Sequence, residues 1–375
     1  MKIIINAISA KTGGIATYTN NLARSFEQRK VDAIFAVPSE LNLDSGIKTI
    51  IVGANKKPPF QRVLWEQIIW RRIVKTHQAD ILFSSANFGL LFSPVPQVLL
   101  LREGGLFDPY YLRNIGSVLS TRMILERIAR RKLILESARS AKLILTPSET
   151  MKTQLIEWQK DLEPNIGVNY YGTNAKLFSP KLQKRKWRED GILKLLYISA
   201  YYPHKQPGLI AEAVRLLNSM GFPCHLTLTM NLEEIKAVRG GEKDYLLLQK
   251  SINIGQTTMI GNISYKNLSS IYGAHDLFIF PSISETFGHP LAESMSMGLP
   301  IIASDTPIHR EICGDAALYF SPLKPSSLIE KIQIVDKNKP LRNSLTKVGR
   351  KNVREKYEWE KHVDRLIRSF EKIIN

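Results

Sequence analysis

The sequence Pro281-Ser-Ile-Ser-Glu-Thr-Phe-Gly-His-Pro-Leu-Ala-Glu293 continues from the short apolar run Asp276-Leu-Phe-Ile-Phe-Pro281. Such a run, bounded by turn residues, is typical of a strand buried on both faces of a parallel sheet. Pro290 suits the first position of a helix, and Gly298 suits the position just after its end. The next apolar run, 299–304, predicts a second strand, so the whole stretch predicts a βαβ unit.

Two glutamates of this unit, Glu285 and Glu293, are candidate binding residues. Ligands of open α/β sheets bind in the crevice outside the carboxyl ends of the strands. Glu285 should lie at that crevice, just before backbone N–H groups that favour an anion. Glu293, about one turn inside the helix, could face the crevice and accept hydrogen bonds from a diol. The alternative is a loop acid and an exposed helix acid, which is the commoner state of carboxylates.

The segment 281–305 resembles the Glu-x7-Glu signature of retaining glycosyltransferases with the GT-B fold, in particular glycosyltransferase family 4. Pro-Ser, Phe-Gly, His-Pro and Gly-Leu-Pro stand at the expected offsets. The resemblance implies that Glu285 lies beside the donor sugar and that Glu293 binds the nucleotide ribose. It also implies that the intervening amides contact the donor sugar and phosphate, which here are those of Thr286, Phe287, Gly288 and His289.

Length and pattern predict two α/β domains, because 375 residues exceed what one hydrophobic core usually organises. Strands are predicted at 2–8, 33–37, 49–52, 81–84, 98–101, 143–146, 166–170, 193–199 and 225–230. Helices are predicted at 18–28, 65–76, 118–138 and 209–220. This alternation is typical of doubly wound sheets.

The polar stretch 171–191 holds Lys181, Lys184, Arg185, Lys186 and Arg188 and reads as an interdomain connector. The predicted organisation has four parts: an acceptor-side Rossmann-like domain (1–175), a charged connector (176–191), a donor-binding domain (192–355) and a closing helix (356–375). The resemblance implies two domains that face a central cleft, with the closing helix packed toward the first. It covers most of the second half of the chain and the first half thinly.

Lys205 follows the first strand of the second half, in Tyr202-Pro-His-Lys-Gln-Pro207. An ammonium group there would neutralise a departing diphosphate as the glycosidic bond to phosphate breaks. A solvated loop lysine is the alternative. The Pro-His-Lys pattern resembles the family's phosphate-binding loop, although Ala200 stands where the family usually has an arginine. Glu285 and Lys205 are therefore the predicted catalytic pair.

Gly13-Gly14 follows the first strand and opens the first helix. Glycine lets a backbone approach a ligand closely and leaves helix N–H groups for phosphate, while a simple tight turn is the alternative. The family places a glycine-rich loop here, near the donor diphosphate and the acceptor. Arg102-Glu103 stands where many members have His-Asp. Arg102 could reach a phosphate or an acidic acceptor and Glu103 could orient the acceptor hydroxyl, or the two could form a structural ion pair.

Segment 113–142 interleaves basic and apolar residues. The basic residues are Arg122, Arg127, Arg130, Arg131, Lys132 and Arg139, with only Glu126 and Glu136 against them in the helix. The apolar residues are Leu119, Met123, Ile124, Ile128, Leu133 and Leu135. A helix of this kind can lie on anionic lipid, and the alternative is a solvated face on a core-packed helix.

The formal net charge of +18 favours a phosphate-bearing or anionic membrane partner, since no nucleic-acid module accompanies it. Two cysteines, Cys224 and Cys313, argue against a disulfide framework and read as small core residues. No Asp-x-Asp or His-x3-His stands in the chain, so we expect no metal and no cofactor. The absence of a long apolar run or a signal-peptide pattern predicts a cytoplasmic protein, and a peripheral location at the inner face of the membrane is the alternative.

These features lead to one functional prediction, a retaining, metal-independent transfer of a sugar from a UDP- or GDP-sugar to a glycan or lipid-linked acceptor in cell-surface polysaccharide synthesis. Retention is implied by the resemblance alone. The alternatives are a sugar-nucleotide epimerase or hydrolase on the same fold and a basic, non-catalytic binding protein. A dehydrogenase is disfavoured because the first βα turn lacks Gly-x-Gly-x-x-Gly.

Overall fold

The chain folds into two α/β units, seen in a computed structural model that describes residues 1–11, 13–53, 59–115, 119–179 and 186–374. Unit 1 contains residues 1–107, 120–170 and 360–375. Unit 2 contains residues 108–119 and 171–359. The chain therefore passes from one unit to the other at four points.

Unit 1 is built on a parallel sheet with the order β3-β2-β1-β4-β5-β6-β7. Its strands are β1 (Ile3–Asn6), β2 (Ala33–Val37), β3 (Lys48–Ile51), β4 (Ile81–Ser84), β5 (Gln97–Leu100), β6 (Leu143–Thr146) and β7 (Ile166–Val168). The central strands are buried on both faces, as the continuous apolar runs predict. The edge strand β3 is mostly exposed.

Helices cover both faces of the unit 1 sheet. They are α1 (Gly13–Gln28), α2 (Pro59–Thr76), α4 (Thr121–Arg139), α5 (Glu149–Trp158) and α14 (Trp359–Ile374). On one face, α2 packs on β1, β2 and β4, while α4 and α5 pack on β5 and β6. On the other face Phe26 of α1 packs on Phe35, and Phe370 of α14 packs on Phe83.

Unit 2 has a second parallel sheet with the order β10-β9-β8-β11-β12-β13. The strands are β8 (Leu193–Tyr197), β9 (Cys224–Leu228), β10 (Thr257–Met259), β11 (Leu277–Phe280), β12 (Ile301–Ser304) and β13 (Ala317–Phe320). Its helices are α3 (Pro109–Ile115), α6 (Pro207–Ser219), α7 (Leu232–Ala237), α8 (Glu242–Asn253), α9 (Leu268–Gly273), α10 (His289–Met297), α11 (Pro307–Cys313), α12 (Pro325–Lys337) and α13 (Lys339–Lys356). The α/β class with two doubly wound sheets is confirmed.

The predicted βαβ unit is present as β11, α10 and β12. Pro290 occupies the first turn of α10, and Gly298 ends it with a φ of 69°. Cys224 and Cys313 are both buried free thiols, and burial raises the pKa of each.

Residues 108–119 were predicted in the first domain, but they cluster with unit 2. The Asp108 carboxylate accepts hydrogen bonds from the backbone N–H groups of Tyr110 and Tyr111, which starts α3. The Tyr111 ring packs edge-on against His204 at 5.3 Å between centroids. This packing inside unit 2 explains why the segment leaves the sheet of unit 1.

The described part of the predicted connector is folded onto unit 2 and is not a bare hinge. Arg188 and Trp187 both donate to the Asp336 carboxylate, at 2.8 and 2.9 Å. The carbonyl of Phe178 accepts the hydroxyl of Ser296 at 2.7 Å. Of the other basic residues predicted for the connector, Lys181, Lys184 and Arg185 lie outside the described residues, whereas Lys186 lies within them.

The closing helix α14 belongs to unit 1 from Glu360 onward. Its His362 Nε2 forms a 3.1 Å hydrogen bond with the Tyr18 hydroxyl, and the side chain of Asp364 pairs with Arg29 at 3.0 Å. Just before it, Thr173 pairs with Glu358 as an isolated parallel bridge. The two segments of unit 2 that connect to unit 1 at 170–171 and at 359–360 are thus paired with each other.

Candidate functional site

The candidate site lies at the carboxyl ends of β8 and β11, two neighbouring strands of unit 2. From β8 the sheet continues to β9 on one side and to β11 on the other, so the strand order reverses there. Loops that leave two such strands in opposite directions open a crevice, which is where ligands of doubly wound sheets bind. Lys205 stands in the loop after β8, and Glu285 stands in the loop after β11.

Lys205 and Glu285 form an ion pair, with the Lys205 ammonium donating to the Glu285 carboxylate. The two side chains are only 12% and 13% exposed. Burial opposes ionisation of Glu285, yet the charge of Lys205, with a smaller contribution from His204, outweighs it and lowers the pKa of the carboxyl group. Glu285 is therefore charged at neutral pH and acts only as a hydrogen-bond acceptor.

Hydrogen bonds to backbone carbonyls hold the loop after β8 and the loop after β11 in place. The Tyr197 hydroxyl donates to the carbonyl of Lys205 at 3.0 Å. The N–H of Ile283 donates to the carbonyl of His204 at 3.0 Å, so the loop after β11 is tied to the loop after β8. The ion pair thus lies on two short, mutually braced segments.

Asp244 of α8 braces the loop that carries Lys205 from its other side. Its carboxylate accepts the Tyr201 hydroxyl and the backbone N–H of Gly208, both at 3.0 Å. A side chain at position 208 would meet Asp244, because an added Cβ would lie 2.6 Å from its carboxylate. Burial raises the pKa of Asp244 to about 6. Sequence reasoning missed this residue, since no spacing rule links it to Lys205.

His309, also missed by sequence reasoning, braces the loop after β11. The Ser304 hydroxyl donates to the carbonyl of Ser282, and His309 Nδ1 lies 2.8 Å from the carbonyl of Ser304. Burial lowers the pKa of His309 to about 4, so the ring is neutral and Nδ1 is the donor. Its ring packs against Phe280 at 5.1 Å.

The predicted amide stretch, Thr286 to His289, lies at the beginning of α10. Gly288 has a φ of 80°, which glycine adopts at no steric cost, and it turns the chain into the helix. Phe287 is buried against Tyr171 and Tyr357, and the His289 ring stacks on Tyr171 at 4.9 Å. The N-terminus of α10, where a helix favours an anion, is thereby fixed beside Glu285 in the chain.

Glu293 lies one turn into α10 and is 4% exposed. Its carboxylate accepts the hydroxyl of Tyr272 at 2.8 Å. Burial raises the pKa of Glu293 to about 7 despite this hydrogen bond. The side chain is thus neither an exposed helix acid nor openly presented to the crevice, and it keeps a proton up to neutral pH.

Gly13 and Gly14 open α1 in unit 1, as predicted. Gly13 has a φ of 68°, and an added Cβ at either glycine would meet nothing within 4 Å. Internal packing therefore does not require glycine at either position. The positive φ of Gly13 does favour glycine at that position. Their role toward phosphate or acceptor stays a prediction.

Arg102 and Glu103 do not pair with each other. Glu103 receives a bidentate contact from Arg130 of α4, at 2.6 to 2.9 Å, and the Asn87 amide at 3.2 Å. The Arg102 guanidinium lies 5.8 Å from the centre of the Tyr18 ring. Glu103 therefore forms its ion pair with Arg130 and not with Arg102, because α4 brings Arg130 across the end of β5.

No group of three or more His, Cys, Asp or Glu side chains in the described ranges could hold a metal ion. None of the described helices is long and apolar enough to cross a bilayer.

Comparison with known proteins supplies independent findings. Residues 180–352 match the family model described as glycosyl transferases group 1. The O-antigen chain mannosyltransferase B of Escherichia coli is 30% identical over 203 residues, covering 51% of this chain and 50% of that protein. The chain spans about half the length of the curated relatives it matches.

Solved structures share the fold over the full chain. A sucrose-phosphate synthase from Thermosynechococcus elongatus has a TM-score of 0.78 at 17% identity, covering 100% of this chain and 99% of that one. Anabaena HepE, solved in complex with UDP and glucose, has a TM-score of 0.74 at 15% identity, covering 99% of each chain. The fold is that of GT-B glycosyltransferase structures.

Proposed function

We propose, because residues 180–352 match the family model of glycosyl transferases group 1, that the chain is a glycosyltransferase that moves a sugar from a nucleotide-diphosphate donor to an acceptor hydroxyl. The observation that carries the proposal is the buried Lys205–Glu285 ion pair at the reversal of strand order in unit 2. This pair joins a cation suited to a diphosphate with an acceptor suited to sugar hydroxyls, at the place where such sheets bind ligands.

In the proposed reaction the bond between the anomeric carbon and the diphosphate oxygen breaks, and the acceptor oxygen forms a new bond on the same face of the sugar. Negative charge develops on the leaving diphosphate. The Lys205 ammonium and the N-terminus of α10 stabilise that charge. The acceptor proton passes to the leaving phosphate, so no separate protein base is needed and the configuration is retained.

Glu285 accepts hydrogen bonds from the hydroxyls of the donor sugar. The Lys205 charge keeps its pKa low, so it is ready to accept at neutral pH without first losing a proton. Glu293 accepts the ribose diol after giving up the proton that its raised pKa retains. The contact between Glu293 and the ribose exists in both the ground state and the transition state, so it affects donor affinity more than rate.

The donor is a UDP- or GDP-sugar, and the acceptor is a glycan or lipid-linked glycan in cell-surface polysaccharide synthesis. The name of the E. coli relative supports the choice of acceptor, and the UDP and glucose in the HepE complex make a UDP-sugar the first donor to test. Lys205 and α10 take the electrostatic role that a divalent ion has in other glycosyltransferases. Full activity in excess EDTA is the expected result.

A membrane role for α4 is a separate part of the proposal. Ile124, Leu125 and Ile128 are 42%, 62% and 52% exposed, and adjacent Arg122 is exposed as well. Several neighbouring cations have structural partners, notably Arg130 with Glu103 and Arg139 with Asp161. We expect α4 to bind anionic vesicles in a co-sedimentation assay, more weakly in Leu125→Ser. No pelleting at low salt would exclude the idea.

The direct test replaces Glu285. With a UDP- or GDP-sugar and a polysaccharide-precursor acceptor, Glu285→Ala should lose at least ~100-fold in transfer rate while its melting curve stays cooperative, since a contact to reacting sugar is worth several kcal/mol. Glu330→Ala, which removes an exposed carboxylate of unit 2, is the matched control.

An unchanged transfer rate in Glu285→Ala would contradict the assignment. The product's anomeric configuration, read by NMR, reports retention separately. Wild-type protein incubated with the donor alone should give neither an epimer nor rapid hydrolysis. Either product would favour the epimerase or hydrolase reading instead.

A further inference from the structure

Helix α13 carries a stripe of cations along one side. The helix contains seven Lys or Arg residues and a single acid, Glu355. Lys339, Lys347, Arg350 and Arg354 recur at intervals that place them on one face. Its opposite, apolar side packs into unit 2, where Gly349 lies against Met295 of α10.

Two cavities run along this stripe. One, of about 150 Å³, is lined in part by Trp187, Lys339 and Arg342, and the other, of about 340 Å³, by Lys347, Arg350 and Arg354. Asn343 and Thr346 line both cavities, so the two form one groove, which we call the α13 groove. Together they are within the size range of small-molecule sites.

The α13 groove is distinct from the site of Lys205 and Glu285. Asp276 and Pro300, which line its first cavity, directly precede β11 and β12. The groove therefore lies at the amino ends of the strands, whereas Lys205 and Glu285 follow the carboxyl ends of β8 and β11. A ligand in the groove would not be the proposed sugar donor.

The cations of the groove are crowded. Burial lowers the pKa of Arg350, and the neighbouring charge of Arg354 lowers it further. Burial likewise lowers the pKa of Arg342, whose guanidinium stacks on Trp187 at 4.2 Å. The nearby carboxylate of Asp276 already accepts the backbone N–H groups of Arg188 and Lys194. An anion in the groove would relieve this repulsion.

Arg350 is positioned to bind such an anion. Its guanidinium lies against Gly298, where an added Cβ would be 2.4 Å from the nearest guanidinium nitrogen. Its Nε is buried and donates to no acceptor among the described residues. A guanidinium held in place at the wall of the second cavity suits the paired acceptors of a phosphate.

We propose that the α13 groove binds a phosphate-bearing anion, with Arg350, Lys347 and Arg354 contacting the phosphate oxygens. The amide of Asn343, which lines both cavities, supplies a neutral hydrogen bond between them. A free phosphorylated metabolite and a phospholipid headgroup offer the same phosphate chemistry, and the assays below separate them.

The first assay is calorimetric titration with inorganic pyrophosphate in a Lys205→Ala background, which removes the proposed donor-site contact. We expect saturable binding, weakened at least ~10-fold by Lys347→Gln with Arg350→Gln, since the two changes remove charge-assisted hydrogen bonds to the phosphate. Lys351→Gln with Lys356→Gln removes the same charge from the same helix without touching the cavities, and should leave binding within about 2-fold of its parent.

Equal losses in the two double variants would mean that affinity follows the net charge, and this result would overturn the proposal, as would no pyrophosphate binding in the parent. Because Arg350 packs on α10, Lys347→Gln alone, an exposed change, keeps the test valid if the double variant unfolds. Co-sedimentation with phosphatidylglycerol vesicles then identifies the source. Pelleting that depends on Lys347 indicates a lipid headgroup, and pyrophosphate binding without such pelleting indicates a soluble ligand.

Discussion

Glu293 couples proton uptake to the stability of the fold, and through the proposed ribose contact also to ligand binding. Burial raises its pKa from 4.5 to about 7, so the folded protein binds this proton more tightly than the unfolded chain does. A raised carboxyl pKa makes stability fall as pH rises between those two values. Glutamine keeps an acceptor for Tyr272 but cannot ionise, so Glu293→Gln should gain stability over the wild type as pH rises to about 8.

Ligand binding should respond in the opposite sense. A ribose diol donates hydrogen bonds, which favours the ionised carboxylate, so the affinity for a nucleoside diphosphate should increase as pH rises through about 7. Calorimetry at several pH values checks this, with proton release upon binding. In Glu293→Gln the increase should be reduced to the titration of the ligand's own phosphate. An identical pH profile in the two proteins would argue against the ribose contact.

The sequence singled out Lys205 and Glu285, which the structure brings together as an ion pair, but not the residues that position them. Both lie in a motif at fixed offsets, so a pattern could find them. Asp244 and His309 act through contacts between elements far apart in the chain, which a single sequence does not encode as spacing. The burial of Glu293 was also missed, because Tyr272 reaches its carboxylate from α9.

Among the secondary-structure elements, the loop from β8 to α6 determines where Lys205 lies. Asp244 holds both of its ends through Tyr201 and Gly208. Asp244→Ala should therefore weaken nucleoside-diphosphate binding about 3- to 10-fold without contacting the ligand, because Lys205 loses its fixed position. Glu242→Ala, an acid removed from the same first turn of α8, should bind normally. Equal effects of the two changes would point to charge alone.

At Gly172 the backbone lies directly against the segment of Glu358 and Trp359. An added Cβ there would lie 2.4 Å from the Cα of Trp359, and the neighbouring hydrogen bond from Thr173 N–H to the Tyr357 carbonyl is 2.7 Å. Backbone cannot move aside as a side-chain end can. We expect Gly172→Ala to lower the free energy of unfolding by about 2–4 kcal/mol in urea denaturation.

Gly53→Ala is the control for that change, since a Cβ at position 53 meets nothing within 4 Å and its φ is not positive. It should alter stability by at most ~0.5 kcal/mol. A similar small effect at Gly172 would show that this crossing accommodates a methyl group. The apolar run predicted a strand at 166–170, just before this crossing, and β7 is Ile166–Val168. The bridge between positions 173 and 358 pairs residues too distant in sequence for any periodicity to reveal.

For the whole molecule, alternation of strands and helices was enough to predict two α/β units, and the resemblance to the GT-B glycosyltransferases is confirmed. The exchange of residues 108–119 into unit 2 was not predictable, because it rests on ring packing between Tyr111 and His204. Part of the net charge of +18 is concentrated on two helices, α4 in unit 1 and α13 in unit 2.

The central claim is that a nucleotide-diphosphate sugar binds at Lys205 and Glu285. Its most direct test is calorimetric titration of UDP- and GDP-sugars into the wild type, Lys205→Ala and Lys194→Ala. Lys194 is a matched control because it pairs with Asp190 at the start of β8. We predict that one of these donors binds the wild type and Lys194→Ala alike and binds Lys205→Ala at least ~10-fold more weakly. Equal affinity in all three proteins, or no binding of any donor to the wild type, would contradict the claim.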